Sequence, residues 1–282
     1  MLKRILDNSI ALFVVVVVMF LFIPLRPEIL DILLIVNLGL SIMILMITMN
    51  ISEALDFSIF PSLLLITTLF RLGMNVSSTR MILTTGNPGV VINNFGNLIT
   101  QGNIVVGFVI FFIIVLVQLI VITKGAERVS EVAARFTLDA MPGKQMAIDA
   151  DLSSGLIDEQ QARVRREKIQ KEADFYGAMD GATKIVKGDS TMSIIITVIN
   201  LVGGIIIGVV VNGGDIGTVM NTYCILTIGD GLVSQIPSLM ISTATGMIVT
   251  RSVSDGSLNL DVLSQFKAQP RAIMTTGVVL LV

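Results

Sequence analysis

Residues Ile104–Ile122 read IVVGFVIFFIIVLVQLIVI, with no charged side chain and only Gln118 strongly polar. A helix of about 20 mainly apolar residues crosses the hydrocarbon core of a bilayer. Inside lipid, backbone polar groups must be satisfied within the segment, which an α-helix achieves. This stretch therefore predicts a membrane-spanning helix. The same pattern recurs at Ser9–Leu25, Ile29–Met49, Phe57–Leu83, Met192–Val211 and Ile225–Thr250. A further run starts near Ala272 and is still apolar at Val282, so residues beyond it are expected to complete that span. The predicted fold is all-α: a polytopic membrane protein with about seven transmembrane helices, the last one truncated, and a cytoplasmic helical insertion. The expected division is 1–122 as a first transmembrane region of four spans, 123–190 as the insertion, and 191–282 as an incomplete second transmembrane region.

Composition agrees. Of 282 residues, 53% are hydrophobic and the mean hydropathy is +0.87. Only 14% are charged, against about 25% in soluble chains. The first apolar run follows Lys3 and Arg4, like the start of a signal peptide, but Pro24-Leu25-Arg26-Pro27 follows it in place of a small-residue cleavage site. It reads as a retained helix. A single cysteine, Cys224, excludes a disulfide within the chain. With no histidine, a His-based metal site or triad is impossible. Proton chemistry must run on Asp, Glu, Lys or Tyr. Asp149, Asp151 and Ser153 suggest a calcium loop, but Ser154 and Gln160 stand where its glycine and bidentate glutamate belong. No Gly-rich phosphate cradle ending in Lys-Ser/Thr occurs. The chain is thus expected to be no enzyme and to hold no cofactor or metal. A formal net charge of -2 argues against nucleic acid as a partner.

Basic residues set orientation, because cytoplasmic loops are enriched in them. With the N-terminus inside, segments 1–8, 50–56, 123–190 and 251–271 hold 16 of the 19 Lys and Arg. Only Arg26 lies outside, and Arg71 and Arg80 fall within the third span. The outer segment Gly86–Asn103 carries no charge and is rich in Gly and Asn. It reads either as a turn-rich loop or as an element dipping back into the bilayer. The segment 123–190 carries both signs of charge and a helical stretch over 158–176, which Asp158 is placed to cap. There Gln161, Arg165, Lys168 and Glu172 share one side. Gly203, Gly204 and Gly208 permit close helix packing in the fifth span.

Charges at membrane depth are the candidates for function. A central charge costs a few kcal/mol by insertion scales, so it tends to serve a purpose. Arg71 and Arg80 sit in an apolar span; either they lie at the headgroups, or each pairs with a carboxylate or a helix C-terminus. Asp230, between Gly229 and Gly231 at the start of the sixth predicted span, is either an interfacial cap or a proton or cation site. Ser234, Gln235, Ser238, Ser242 and Thr245 make one side of that span polar, as for a helix facing a pore or a subunit. Asp180 and Lys184 have the i,i+4 spacing of a helical ion pair. Asp189 stands where the fifth predicted span enters the membrane, placed to cap it.

Three stretches resemble the flagellar and type III secretion export-gate family. They are FPSLLLITTLFRL with NVSSTR over residues 60–80, the run from Lys124 to Asp189 (KGAERVSEVAARFTLDAMPGKQMAIDADLSSG, QARVRRE, DFYGAMDGATKIVKGD), and GDGLVSQIPSLMISTATGMIVTR over 229–251. The likeness covers most of residues 30–251. It implies a subunit of a homo-oligomeric ring, nonameric in the family, in the bacterial inner membrane. Such a subunit takes part in exporting unfolded proteins, coupled to a proton or sodium motive force. Implied partners are other membrane export-gate proteins, the export ATPase complex, and chaperone–substrate complexes, the last two through a C-terminal domain absent here. The family's charged set maps by motif onto Arg80, Arg128, Arg135, Asp139, Asp180, Lys184, Asp189, Asp230 and Arg251. Motif wording tilts toward the flagellar over the virulence branch. Two other classes compete: a small-solute transporter, which favours paired broken helices in repeated halves, and a passive scaffold whose embedded charges only hold helices together.

Overall fold

The computed structural model describes residues 9–251 and 258–281, and among them every regular element is helical. In chain order these are α1 (Ser9–Phe22), α2 (Pro27–Asn50), α3 (Phe60–Thr85), α4 (Val90–Thr100), α5 (Ile104–Val117), α6 (Lys124–Ser153), α7 (Glu159–Ile206), α8 (Ile216–Val249), α9 (Leu258–Ala268) and α10 (Pro270–Leu281). A 3-10 turn, Ala54–Phe57, leads into α3; π turns at Gln118–Thr123 and Ile207–Val211 follow α5 and α7.

Five helical stretches are long and apolar enough to cross a membrane: Pro27–Asn50, Ala54–Thr85, Ile104–Ser153, Glu159–Val211 and Ile216–Val249. The first predicted span is a shorter helix that stops at Phe22, ahead of Pro24, because the residue before a proline is disfavoured in the α region. Prolines open the next two: Pro27 stands in the first turn of α2 and Pro61 in that of α3, where a missing N–H costs nothing. Polar caps start the others. Asn103 accepts from the Val106 amide at 3.2 Å, Asp158 forms a reciprocal capping box with Gln161, and Asp215 accepts from the Thr218 amide at 3.1 Å.

Two boundaries differ from expectation. The sixth span starts at Ile216, not Ile225. The fifth is only the last part of one helix running unbroken from Glu159. The insertion is therefore built on direct continuations of membrane helices: α6 prolongs α5, turns at 154–158, and returns as the first half of α7. Ile148, Ile157 and Ala162 form its small core. Ion pairs Lys144–Glu172 at 2.8 Å and Arg165–Asp151 at 3.0 Å, with Arg166–Asp149, line its seam.

The helix α8 is the axis. In its apolar window 78% of residues are buried, against 22–28% in α2, α5 and α7. Those outer helices leave Ile32, Ile35, Phe112, Val198 and Val202 exposed, as lipid-facing surfaces must be. The segment 86–103 contains α4, about 16 Å long and too short to span. It packs antiparallel along α8, with Ile92 over Gly229 and Gly96 over Ile225. Its N-terminus is held by Asp31, whose carboxylate accepts from the Val90 and Val91 amides at 2.8 and 3.0 Å. That places negative charge at the positive end of the helix dipole.

A Cβ added at Gly229 would overlap the Ile92 carbonyl oxygen. Backbone cannot yield as a side-chain tip does, so Gly229→Ala is expected to destabilise by about 1–3 kcal/mol. A lowered thermal midpoint in mild detergent would register this; an unchanged midpoint would refute the close crossing.

Candidate functional site: a buried polar column around α8

Three helices each carry polar residues at helical spacing inside apolar surroundings, and the fold turns these stripes toward one another. From α3 come Arg71, Asn75 and Ser78; from α7, Asp189, Ser193 and Asn200; from α8, Asp230, Ser234 and Ser238. The spacings i,i+4,i+7 on α3, i,i+4,i+11 on α7 and i,i+4,i+8 on α8 keep each set on one face. Arg71, Asn75, Ser78, Asp189, Asn200, Asp230, Ser234 and Ser238 are all buried.

At one level Arg71 and Asp189 form an ion pair between α3 and α7, their side chains only 2% and 1% exposed. Next along the column, Ser234 donates to Oδ1 of Asn75 at 2.7 Å. Further on, Nδ2 of Asn200 donates to Asp230 at 2.9 Å, with Ser78 beside the same carboxylate. Asp230 lies fourteen residues past Ile216, about 21 Å along the helix. It is not a cap at the start of a span; Asp215 has that role. Asp189 is likewise no cap, since α7 has no terminus near it. On the other side of the ion pair, Ser190 links Ser238 at 3.3 Å and Thr123 at 3.4 Å. Gln118, first residue of the π turn, donates to the Gln235 carbonyl at 3.4 Å.

The column is under-satisfied. Nε and Nη1 of Arg71, Oδ1 of Asp189, Nδ2 of Asn75, Oδ1 of Asn200 and the side-chain oxygens of Gln118 and Gln235 have no hydrogen-bond partner among the described residues. Each such buried group costs about 1–3 kcal/mol, and native interiors carry few. Most of these groups line a cleft around Arg71 and Asp189 with a volume of about 10 Å³, room for about one water molecule. Carboxylates separated by amides, hydroxyls and space for water are the parts a hopping proton or a small cation uses.

The other predicted residues lie elsewhere. Arg80 is not at a carboxylate: it donates to the Phe22 and Leu21 carbonyls at 3.0 and 2.9 Å, capping α1 at the negative end of its dipole. Asp180 and Lys184 make their i,i+4 pair at 2.7 Å on the insertion surface. Arg128 pairs with Glu131 at 2.7 Å, Arg135 reaches the same Glu131 at 4.0 Å, and both arginines are exposed. Asp139 is exposed too. Arg251 follows the end of α8, in a cleft of its own. Among the described residues no cluster of three or more His, Cys, Asp or Glu is placed to hold a metal. Sequence reasoning missed Asn75, Asn200 and Gln118. The spacing of Asn75 and Ser78 from Arg71 was the available signal for the first.

Removing the guanidinium of Arg80 should release α1. Arg80→Ala is expected to cost about 1 kcal/mol and to raise labelling of a cysteine placed at Phe13, which now stacks on Phe70 at 5.5 Å. Unchanged labelling would show that the cap does not hold α1.

A family model described as the FHIPEP family matches residues 17–282. The chain belongs to the FHIPEP family. Named relatives match over most of the chain. The flagellar biosynthesis protein FlhA of Bacillus subtilis is 57% identical over 267 residues, covering 95% of this chain and 39% of that protein. FlhA of Caulobacter vibrioides is 51% identical, covering 94% and 38%. The low calcium response locus protein D of Yersinia pestis is 50% identical, covering 98% and 39%. The chain thus spans about two fifths of the length of these relatives. No solved structure matches. The polar column lies within the part of this chain that these relatives match.

Proposed function

We propose that this chain is the membrane portion of a flagellar type III export-gate subunit, and that its polar column passes protons or sodium ions to drive export of unfolded proteins. One observation carries the reading: two buried carboxylates, Asp189 and Asp230, share a continuous column of polar side chains with unfilled hydrogen-bonding capacity. Intramembrane ionisable groups lining such a path are typical of proton relays. Asp189 is the inner station, released when Arg71 turns to the neighbouring amides; Asp230 is the outer one, held by Asn200. Arg71, by excluding a second cation while paired, acts as the gate.

Likeness to the relatives supports a wider assembly. The 57% identity to a protein named for flagellar biosynthesis favours the flagellar branch, and the virulence branch is the alternative. The subunit sits in the inner membrane with its N-terminus in the cytoplasm, a reading that basic-residue placement supports. It assembles as a ring of copies, nonameric by family likeness, with other export-gate membrane proteins. The longer protein meets the export ATPase and chaperone–substrate complexes through its remaining domain. Asp180, Lys184, Arg128, Arg135 and Asp139 form a charged cytoplasmic collar suited to such contacts, outside the ion path. A passive scaffold is the competing reading.

Ion flux decides between them. Full-length protein in liposomes is expected to conduct protons or sodium under an imposed gradient, and Asp189→Asn, less stable because it leaves Arg71 without its counter-charge, to abolish it at equal incorporated protein. Equal flux in wild type, Asp189→Asn and empty liposomes would leave only the scaffold.

A further inference from the structure

Away from the column, a cavity of about 250 Å³ opens between the 3-10 turn, α6, α7 and the end of α8, bounded by Glu53, Lys144, Lys168, Glu172, Tyr176 and Arg251. It is slightly smaller than the ~300–1,000 Å³ of small-molecule pockets. Three cations and two carboxylates face it. Lys144 pairs with Glu172 at 2.8 Å and Lys168 with Glu53 at 2.9 Å. Arg251 is left over: its Nη1 and Nη2 are shielded from solvent and have no hydrogen-bond partner among the described residues. A guanidinium presents donors in a fixed planar fork that matches a phosphate or carboxylate, so a shielded, unpaired fork calls for an anion.

We infer that this cavity is a binding site for a singly charged phosphate group, with Arg251 as its bidentate anchor and Lys144 and Lys168 as flanking charges. The charge balance points to that class: three positive against two negative groups leaves one positive charge, which a phosphodiester neutralises. Position points to lipid as the source. The helix α2 exposes Met46 and Ile47 to the bilayer and ends at Asn50. Glu53, on the cavity rim, is three residues further, at most about 10 Å of extended chain. Half-buried Tyr176 supplies an amphipathic wall of the kind found at headgroup level. Basic pockets between membrane helices on the cytoplasmic side take acidic lipid headgroups. Occupancy would tie the end of α8 to the 3-10 turn and to the insertion hairpin, joining membrane bundle and cytoplasmic hairpin through one bound anion.

The test uses full-length protein in vesicles of phosphatidylcholine alone or mixed with phosphatidylglycerol, followed by retention of lipid in native mass spectrometry and by thermal midpoint. Phosphatidylglycerol is expected to co-purify and raise the midpoint by several degrees. Arg251→Gln is expected to weaken retention by about ten-fold to a hundred-fold, the worth of one or two charge-assisted hydrogen bonds, and Arg251→Lys less. Should Arg251→Gln fail to fold, Lys144→Gln reads the same site from α6. Inorganic phosphate added to phosphatidylcholine vesicles separates the sources: an equal Arg251-dependent rise keeps the phosphate site and makes its ligand soluble. No rise with either probe, or a rise that survives both Arg251→Gln and Lys144→Gln, overturns the inference.

Discussion

Arg71→Met alone is expected to destabilise the bundle by about 3–5 kcal/mol, because it strands a buried carboxylate without its counter-charge. Asp189 is 3% exposed and, among the described residues, reaches no other cation. Protein level and thermal midpoint should both fall. The double change Arg71→Met with Asp189→Leu should recover most of that loss, since a buried pair replaced by apolar side chains of like volume is often neutral or stabilising. Export should not recover. A cell carrying the double variant in the full-length protein should accumulate it in the membrane and neither swim nor secrete. This separates the two readings of the ion pair: if a stable double variant supports normal swimming, Asp189 is a packing group and the ion path does not use it.

Asp230→Asn is the second large effect. The amide is isosteric and its oxygen still accepts from Asn200, so the midpoint should move by less than about 1 kcal/mol equivalent. What is lost is the ability to carry charge. Groups that transfer protons are worth on the order of 10²–10⁴-fold in rate, and ion flux through reconstituted protein should drop by at least the lower figure. Asp230→Glu should retain a fraction, because the carboxylate remains while its placement against Asn200 and Ser78 shifts. Normal flux in Asp230→Asn would remove the outer station and restrict any path to the Arg71–Asp189 level.

Much of this was legible from residues alone. Apolar runs located the membrane helices because a lipid-facing surface must be apolar nearly everywhere, as α5 and the outer half of α7 are. The same logic failed at the start of α8, whose exposed face carries polar side chains. Residues 216–224 hold Thr218, Asn221 and Thr222, which made the sixth span seem to begin at Ile225; packing of Val219 and Tyr223 against Gly208 and Gly204 lets the helix start earlier. The insertion looked separate because its charge content changes sharply at Lys124, yet helical backbone passes through that boundary with only a π turn. Charge reports the solvent around a helix, not whether the helix continues.

Arg71 lies on the carboxylate of Asp189 and Arg80 on the C-terminal carbonyls of α1. Which arginine took which partner was not readable. Asp189 and Arg71 come from helices far apart in the chain, and Asn200 and Gln118 each stand singly in an apolar run.

By itself the sequence determined the class of molecule: multi-pass, all-helical, with a charged hairpin on one side and a few ionisable groups at depth. That follows from solvation, which acts on each residue according to its own side chain. Only the tertiary structure decided that the polar faces of α3, α7 and α8 meet in one column, and that Arg80 and Arg251 stand outside it. Pairing depends on how far helices are rotated and shifted against each other. Close contacts such as Gly96 and Gly229 set that geometry, and it is a property of two surfaces together, carried by neither alone.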